Sequence, residues 1–288
     1  MKKVFAIVAI LAIVLSFAAC GGKTAAPTAN PGTSTNEPAT GLQTLVVAHK
    51  GDPTSLCHLT VTFGSANGPI QNMIYDRLLD YNFEKSDVEP MLATSWEYID
   101  DTHIKFKLRD DVVAHDGSPF KASDVIYTLK TGQESGKLAN YYNTFDIDGC
   151  EVVDDYTVII ATKNVDPFVL YNLSNIPLSM VVEEAVNNSG TLEDQNQKPD
   201  AGTGPYKVVE WVAGSSVKLE RNEKYWGEKP FFDTVEFRII TDASARVMNL
   251  ESGTVDVALD PATAQVELLE GNNDFQIINY PTTNLTTL

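Results

Sequence analysis

HIKFKLRDDVVAHDGSPFKASDVIYTLKTG, residues 103–132, passes from one hydrophobic period to another. Ile104, Phe106 and Leu108 alternate with polar positions, the pattern of a half-buried strand. Asp116-Gly117-Ser118-Pro119 is a turn signal. Ser123 then stands where it can cap a helix carrying Val125, Ile126 and Leu129 and closing near Gly132. Strand, turn and helix in succession predict a domain that mixes both element types.

The flanks extend the mixture. Upstream, Thr44–His49 is apolar and rich in β-formers, so it reads as a first buried strand, and Gly51-Asp52-Pro53 turns the chain. Pro69 opens a helix whose stripe is Ile70, Met73, Ile74 and Leu78. Downstream, Thr157–Ala161 is strand-like and 178–186 is read as a short helix. Gly202-Thr203-Gly204-Pro205 breaks the chain sharply. Strand-like runs follow at 206–212, 217–221 and 234–240, then a helix capped by Asp242 and closed by Gly253, then strands at 256–259 and 275–280. No steady strand–helix rhythm runs through, so the class is α/β or α+β with mixed sheets.

The N-terminus addresses the compartment. Lys2 and Lys3 precede an unbroken apolar run from Val4 to Leu15, and small residues Ala18 and Ala19 precede Cys20. That is the layout of a secretory signal, and the run is short for a membrane span of roughly 20 residues. Ala18-Ala19-Cys20-Gly21-Gly22 resembles a bacterial lipobox, although Phe17 stands where leucine is preferred. The resemblance implies a leader at 1–19 and a diacylated Cys20 that anchors the chain without a transmembrane helix. Residues 20–43 then read as lipidated cysteine and flexible linker, since Thr, Ala, Pro, Asn, Ser and Gly dominate there.

The formal net charge is −18, and loss of a leader carrying Lys2 and Lys3 takes it to −20. Such acidity argues against nucleic acid, whose binding needs Lys and Arg on phosphates. It mildly favours cationic ligands. Besides Cys20 there are Cys57 and Cys150, for which pairing and free thiols both remain open.

Six segments in order resemble the family 5 extracellular solute-binding proteins of peptide and nickel ABC importers. Met73-Ile-Tyr-Asp-Arg-Leu-Leu79 is similar to the family's YExL helix, and Glu89-Pro-Met-Leu-Ala-Thr-Ser-Trp96 to its turn before SW. Residues 104–121 follow its F-x-LR … HDG-x-PF run, with Ala114 where an aromatic is usual, and Ala122–Tyr127 follows A-x-DV-x-Y. Gly202–Tyr206 reads GTGPY, and Arg221-Asn222 with Tyr225-Trp226-Gly227 matches RN-x-x-YWG. Cys57-His58 departs from the usual Asp-Pro.

The resemblance implies an α/β, periplasmic-binding-protein-like fold (type II, cluster C). The chain would supply a mixed-sheet first lobe: 44–68, an extra subdomain at 69–198, and 199–288 ending near the crossing to a second lobe largely absent here. The chain therefore reads as truncated and is expected to bind ligand weakly by itself. The family implies capture of a small peptide by lobe closure, delivery to an ABC permease and ATPase complex, a monomer and no cofactor. Its ligand-facing loop corresponds to 62–67, making Phe63, Gly64 and Ser65 candidates. Tyr141 and Tyr142 fall in the subdomain segment that approaches the cleft in the family, and Thr283 lies near the expected crossing.

Rival classes find less support. His49, His58, His103 and His115 form no recognised metal spacing, so no metal site is expected. No G-x-S-x-G, H-E-x-x-H or phosphate-loop motif occurs, which leaves an enzyme without a motif. A sensory receptor would use the same fold. Trp96, Trp211 and Trp226 read as packing residues.

Overall fold

The alternation at 103–108 becomes a strand whose buried positions are Ile104, Phe106 and Leu108. The structure, a computed structural model, describes residues 43–62, 64 and 66–278. In chain order the strands are β1 Thr44–His49, β2 Leu79–Asn82, β3 Asp87–Pro90, β4 Ala93–Tyr98, β5 His103–Leu108, β6 Glu151–Asp154, β7 Thr157–Ala161, β8 Tyr206–Val212, β9 Ser216–Arg221, β10 Thr234–Ile239 and β11 Val257–Ala258. The α-helices are α1 Gly68–Ile74, α2 Ala122–Ser135, α3 Ala139–Tyr142, α4 Val169–Asn172, α5 Glu183–Ser189, α6 Ala243–Glu251 and α7 Thr263–Leu269. None of these helices is long and apolar enough to cross a membrane.

The five-stranded sheet has the order β11-β1-β10-β9-β8. In it β1 runs parallel to both β10 and β11, while β9 is antiparallel to β10 and β8. The four-stranded sheet, β4-β5-β7-β6, is wholly antiparallel, and β2 and β3 form a separate hairpin. The larger sheet thus draws its strands from 44–49 and 206–258, the smaller from 93–161. One apolar core runs through both, from Val47, Val235 and Phe237 to Phe106, Leu129 and Val158.

Several helix limits differ from expectation. The first helix stops at Ile74, leaving Leu78 buried in the extended segment beyond it. It stops because the GTGPY turn occupies the next position: Gly204 N donates to Ile74 O at 2.8 Å. The second helix begins two residues early, capped at Lys121 rather than Ser123; the Lys121 amide donates to Asp124 Oδ2 at 2.7 Å. It continues past Gly132 to Gly136, which takes a left-handed φ of 64°. Gly132 is needed for proximity, since a Cβ there would lie 2.3 Å from the Tyr142 ring. The helix expected at 178–186 starts at Glu183 instead, and the described part of 275–280 forms no strand.

A knot of motif residues joins the sheets. Asp76 is wholly buried; its Oδ2 accepts from Thr203 Oγ1 at 2.9 Å and from Trp226 Nε1 at 2.8 Å. Burial raises its pKa against these donors and the nearby Arg77. Arg109 lies 4.4 Å over the Trp226 ring. His115 N donates to Gly202 O at 2.9 Å, and Gly204 O accepts from Asn222 Nδ2 at 3.1 Å.

The glycines permit this approach. A Cβ on Gly202 would lie 2.3 Å from Ile74 O, a backbone atom that has no rotamer to swing away. Gly214, with φ at 72°, has nothing within 4 Å. Gly202→Ala is therefore expected to cost about 3 kcal/mol or more, against about 1 kcal/mol for Gly214→Ala. Denaturant midpoints of the two variants will show the difference.

Candidate functional site

Parallel pairing brings the carboxyl ends of β1, β10 and β11 to one edge. Ile240 N donates to His49 O at 2.8 Å and Leu259 N to Ala48 O at 3.1 Å. The chain leaves β1 for the 50–67 segment and α1, which packs beside β8. It leaves β10 for α6, which packs on β1 and β11 at the opposite end of the sheet. Connections that part from adjacent parallel strands open a crevice at their carboxyl ends, where open α/β sheets bind ligands.

Fixed polar groups line this edge. Arg246 is buried, and its guanidinium donates to four carbonyls: Leu259 at 2.8 Å, Ile240 at 2.8 Å, Thr241 at 2.9 Å and Asp260 at 2.6 Å. It thereby ties the segment after β10 to the segment after β11. Asp242 caps α6, accepting from Ala245 N at 2.7 Å, as the sequence predicts. Asp52 accepts from Trp211 Nε1 at 2.9 Å and Gly214 N at 2.8 Å, joining the turn after β1 to the β8–β9 hairpin. Lys50 pairs with Asp260 at 2.8 Å.

The 62–67 loop is fastened beside this edge. A Cβ on Gly51 would come within 3.3 Å of Ala66 Cβ, so the loop returns to the end of β1. Gly64 O accepts from Asn67 N at 3.0 Å and Gly68 N at 3.1 Å. The buried Asn67 side chain accepts from Thr54 N at 3.0 Å. Asn196 Oδ1 receives the Ser55 and Thr60 hydroxyls at 2.6 and 2.5 Å. Sequence reasoning missed Asn67, Asn196 and Arg246 as site-builders, because none lies in a chemical motif.

The expected site residues separate. Gly64 lies on this loop. Tyr141 is half-buried on α3, which packs against α2 and residues 176–178. Tyr142 is placed in the core at 0% exposure, its hydroxyl donating to Pro177 O at 2.7 Å, a correction to its expected ligand-facing role. The helical turn at 139–142 directs its ring into the space left by Gly132. Two residues along, Ser179 O meets His58 Nε2 at 2.9 Å, so Tyr142 braces the segment that holds the foot of the loop. Cys20, Phe63, Ser65 and Thr283 lie outside the described residues.

Cys57 and Cys150 are unpaired. Burial pushes the Cys57 thiol up to about 11 and raises that of Cys150, away from thiolate chemistry. Among the described residues, no three His, Cys, Asp or Glu side chains are grouped to hold a metal ion. The edge is a rigid polar rim: its carbonyls at Ile240, Thr241, Leu259 and Asp260 are tied by Arg246, and Asp52, Lys50 and Asp260 are engaged beside them.

The sequence profile of the bacterial extracellular solute-binding proteins, family 5, matches residues 87–288. The chain belongs to this family. The oligopeptide-binding protein AppA of Bacillus subtilis (strain 168) is 30% identical over 240 residues, 81% of this chain and 44% of AppA. The dipeptide-binding protein of Escherichia coli (strain K12) is 28% identical over 266 residues, 84% of this chain and 49% of the relative. The periplasmic binding protein DppA from Helicobacter pylori, solved in complex with the peptide STSA, superposes with a TM-score of 0.69 at 27% identity, over 80% of this chain and 49% of DppA. The chain thus spans about half the length of the relatives it matches. The family is one of solute-binding proteins, and its fold is the mixed α/β architecture of periplasmic binding proteins.

His58 gives a test of how the loop foot is built. Its pKa is lowered to about 4 by complete burial, against the bond to Ser179 O. In the unfolded chain the imidazole protonates near pH 6.5. Below that pH the unfolded state binds the extra proton and the folded state does not, so stability falls from about pH 6.5 to 4. The stability advantage of the wild type over His58→Gln is expected to shrink by about 3 kcal/mol across that window. Urea unfolding at several pH values measures it.

Proposed function

We propose that the chain is the ligand-capturing part of an ABC importer, holding di- and oligopeptides outside the cytoplasmic membrane for a permease and ATPase complex. The observation that carries this is the likeness to the DppA structure that holds the peptide STSA, which covers 80% of the chain. The carboxyl edge of β1, β10 and β11 supports it by setting a rigid polar rim beside the 62–67 loop. Ligand would lie along that edge, against Gly64 and its neighbours Phe63 and Ser65; Tyr141 and Thr283 stay candidate contacts on the family resemblance.

In this reading 69–198 is the extra subdomain of the first lobe, and 44–68 with 199–288 is the lobe itself. A ligand bridging two lobes would favour the closed form by its greater affinity for it. The protein would act as a monomer without a cofactor. Cleavage before Cys20 and acylation of its thiol would leave it lipid-anchored at the extracytoplasmic face.

Thermal unfolding of the full-length polypeptide with candidate ligands tests the proposal. A peptide present at 100 times its Kd adds about 2.7 kcal/mol and raises Tm by several degrees. Stabilisation by nickel chelates or oligosaccharides alone would overturn the peptide reading. Recovery of the peptide unchanged is expected, and its cleavage would place the protein among enzymes.

A further inference from the structure

Residues 1–42 join the described fold at Gln43, and Gln43 is pinned to the base of one loop. Its amide donates to Asp233 Oδ2 at 2.7 Å. Its carbonyl accepts from Asp233 N at 2.9 Å and Thr234 N at 3.1 Å. Two positions earlier, Phe231 is 72% exposed, with its ring edge-on to Phe232 at a centroid distance of 5.2 Å. The loop backbone is braced: Arg221 donates to Pro230 O at 3.2 Å and pairs with Asp233 at 2.8 Å. The Tyr206 hydroxyl donates to Phe232 O at 2.9 Å. A large apolar ring is therefore held outward, on fixed backbone, where the N-terminal segment attaches.

Charge selects the surface this ring can meet. Over 221–233 the cations Arg221, Lys224 and Lys229 balance the anions Glu223, Glu228 and Asp233, and the loop Glu228–Asp233 itself is only −1, within a chain whose net charge is −18. An anionic bilayer repels an acidic body over about a Debye length, and a neutral segment is repelled least. An exposed apolar ring can bury at the headgroup–acyl boundary of a membrane; the cations beside it, Arg221 and Lys229, are paired with Glu223. Twenty-two residues lie between Cys20 and Gln43, so the chain between them can reach at most about 75 Å. Attachment at that range gives a high effective concentration, so a weak contact suffices.

We propose that loop Glu228–Asp233, led by Phe231, is the face that rests on the phospholipid surface when the chain is anchored through Cys20. This rests on the anchored reading given above. The contact orients the folded body relative to the bilayer, a role separate from ligand capture.

The test uses the full-length protein, expressed with its own leader and reconstituted into vesicles of phosphatidylcholine and phosphatidylglycerol. Phe231→Trp and Phe83→Trp are compared with the unsubstituted protein, since Phe83 is a similarly exposed ring at 67%. Lipids brominated on their acyl chains are expected to quench the added Phe231→Trp emission at least twofold and to leave that of Phe83→Trp unchanged. Equal quenching at both positions, or none at 231, overturns the proposal. The mass of the N-terminal peptide separates the two readings. Acylated Cys20 with an unquenched tryptophan at 231 removes this proposal alone, whereas unacylated Cys20 removes the anchor and this proposal with it.

Discussion

The buried carboxylate of Asp76 is the constraint on which the architecture depends. It follows α1 directly, and its two strong donors come from segments far along the chain, Thr203 and Trp226. Burying a carboxylate is costly unless donors satisfy it, so the three segments are held together or all lose. The same position accounts for the glycines. Thr203 reaches Asp76 only if Gly202 and Gly204 lie flat against the end of α1, and a side chain at either would strike Ile74 backbone. His115 and Asn222 then hold the carbonyls of that turn. Four of the segments that resemble the family therefore meet at one place, and their residue types follow from what that place requires.

This also explains what the sequence reveals and what it conceals. Local patterns survive folding: the alternation at 103–108, the cap at Asp242 and the break at GTGPY are all found as read. The misjudged features depend on distant contacts. Leu78 continues an apolar stripe, yet the helix ends at Ile74 because a turn more than a hundred residues later takes its carbonyl. Gly132 looks like a helix terminator and serves instead to admit the Tyr142 ring. Tyr142, beside Tyr141 in sequence, looks like half of an exposed pair, but its neighbour Gly132 decides that it goes inward. The edge strands β4 and β6 lack a buried face long enough to show alternation, with β6 exposed throughout.

The candidate site follows the same logic. Its position comes from topology, since one strand parallel to both neighbours gathers three carboxyl ends. Its rigidity comes from side chains that look unremarkable in sequence. Arg246 spends its donors on four carbonyls rather than on a carboxylate, so it acts as a clamp between two loops. Asn196 collects two hydroxyls and Asn67 cross-links the loop to Thr54. A polar rim held this firmly loses little entropy on meeting a ligand.

The central claim is that ligand meets this lobe at the carboxyl edge of β1, β10 and β11. Amide hydrogen exchange on the full-length polypeptide, with and without a saturating oligopeptide, tests it most directly. The account predicts that added protection within residues 43–278 concentrates at 50–54, 62–67, 240–242 and 259–261. Protection confined to the β4-β5-β7-β6 sheet, with the carboxyl edge unchanged, would contradict it.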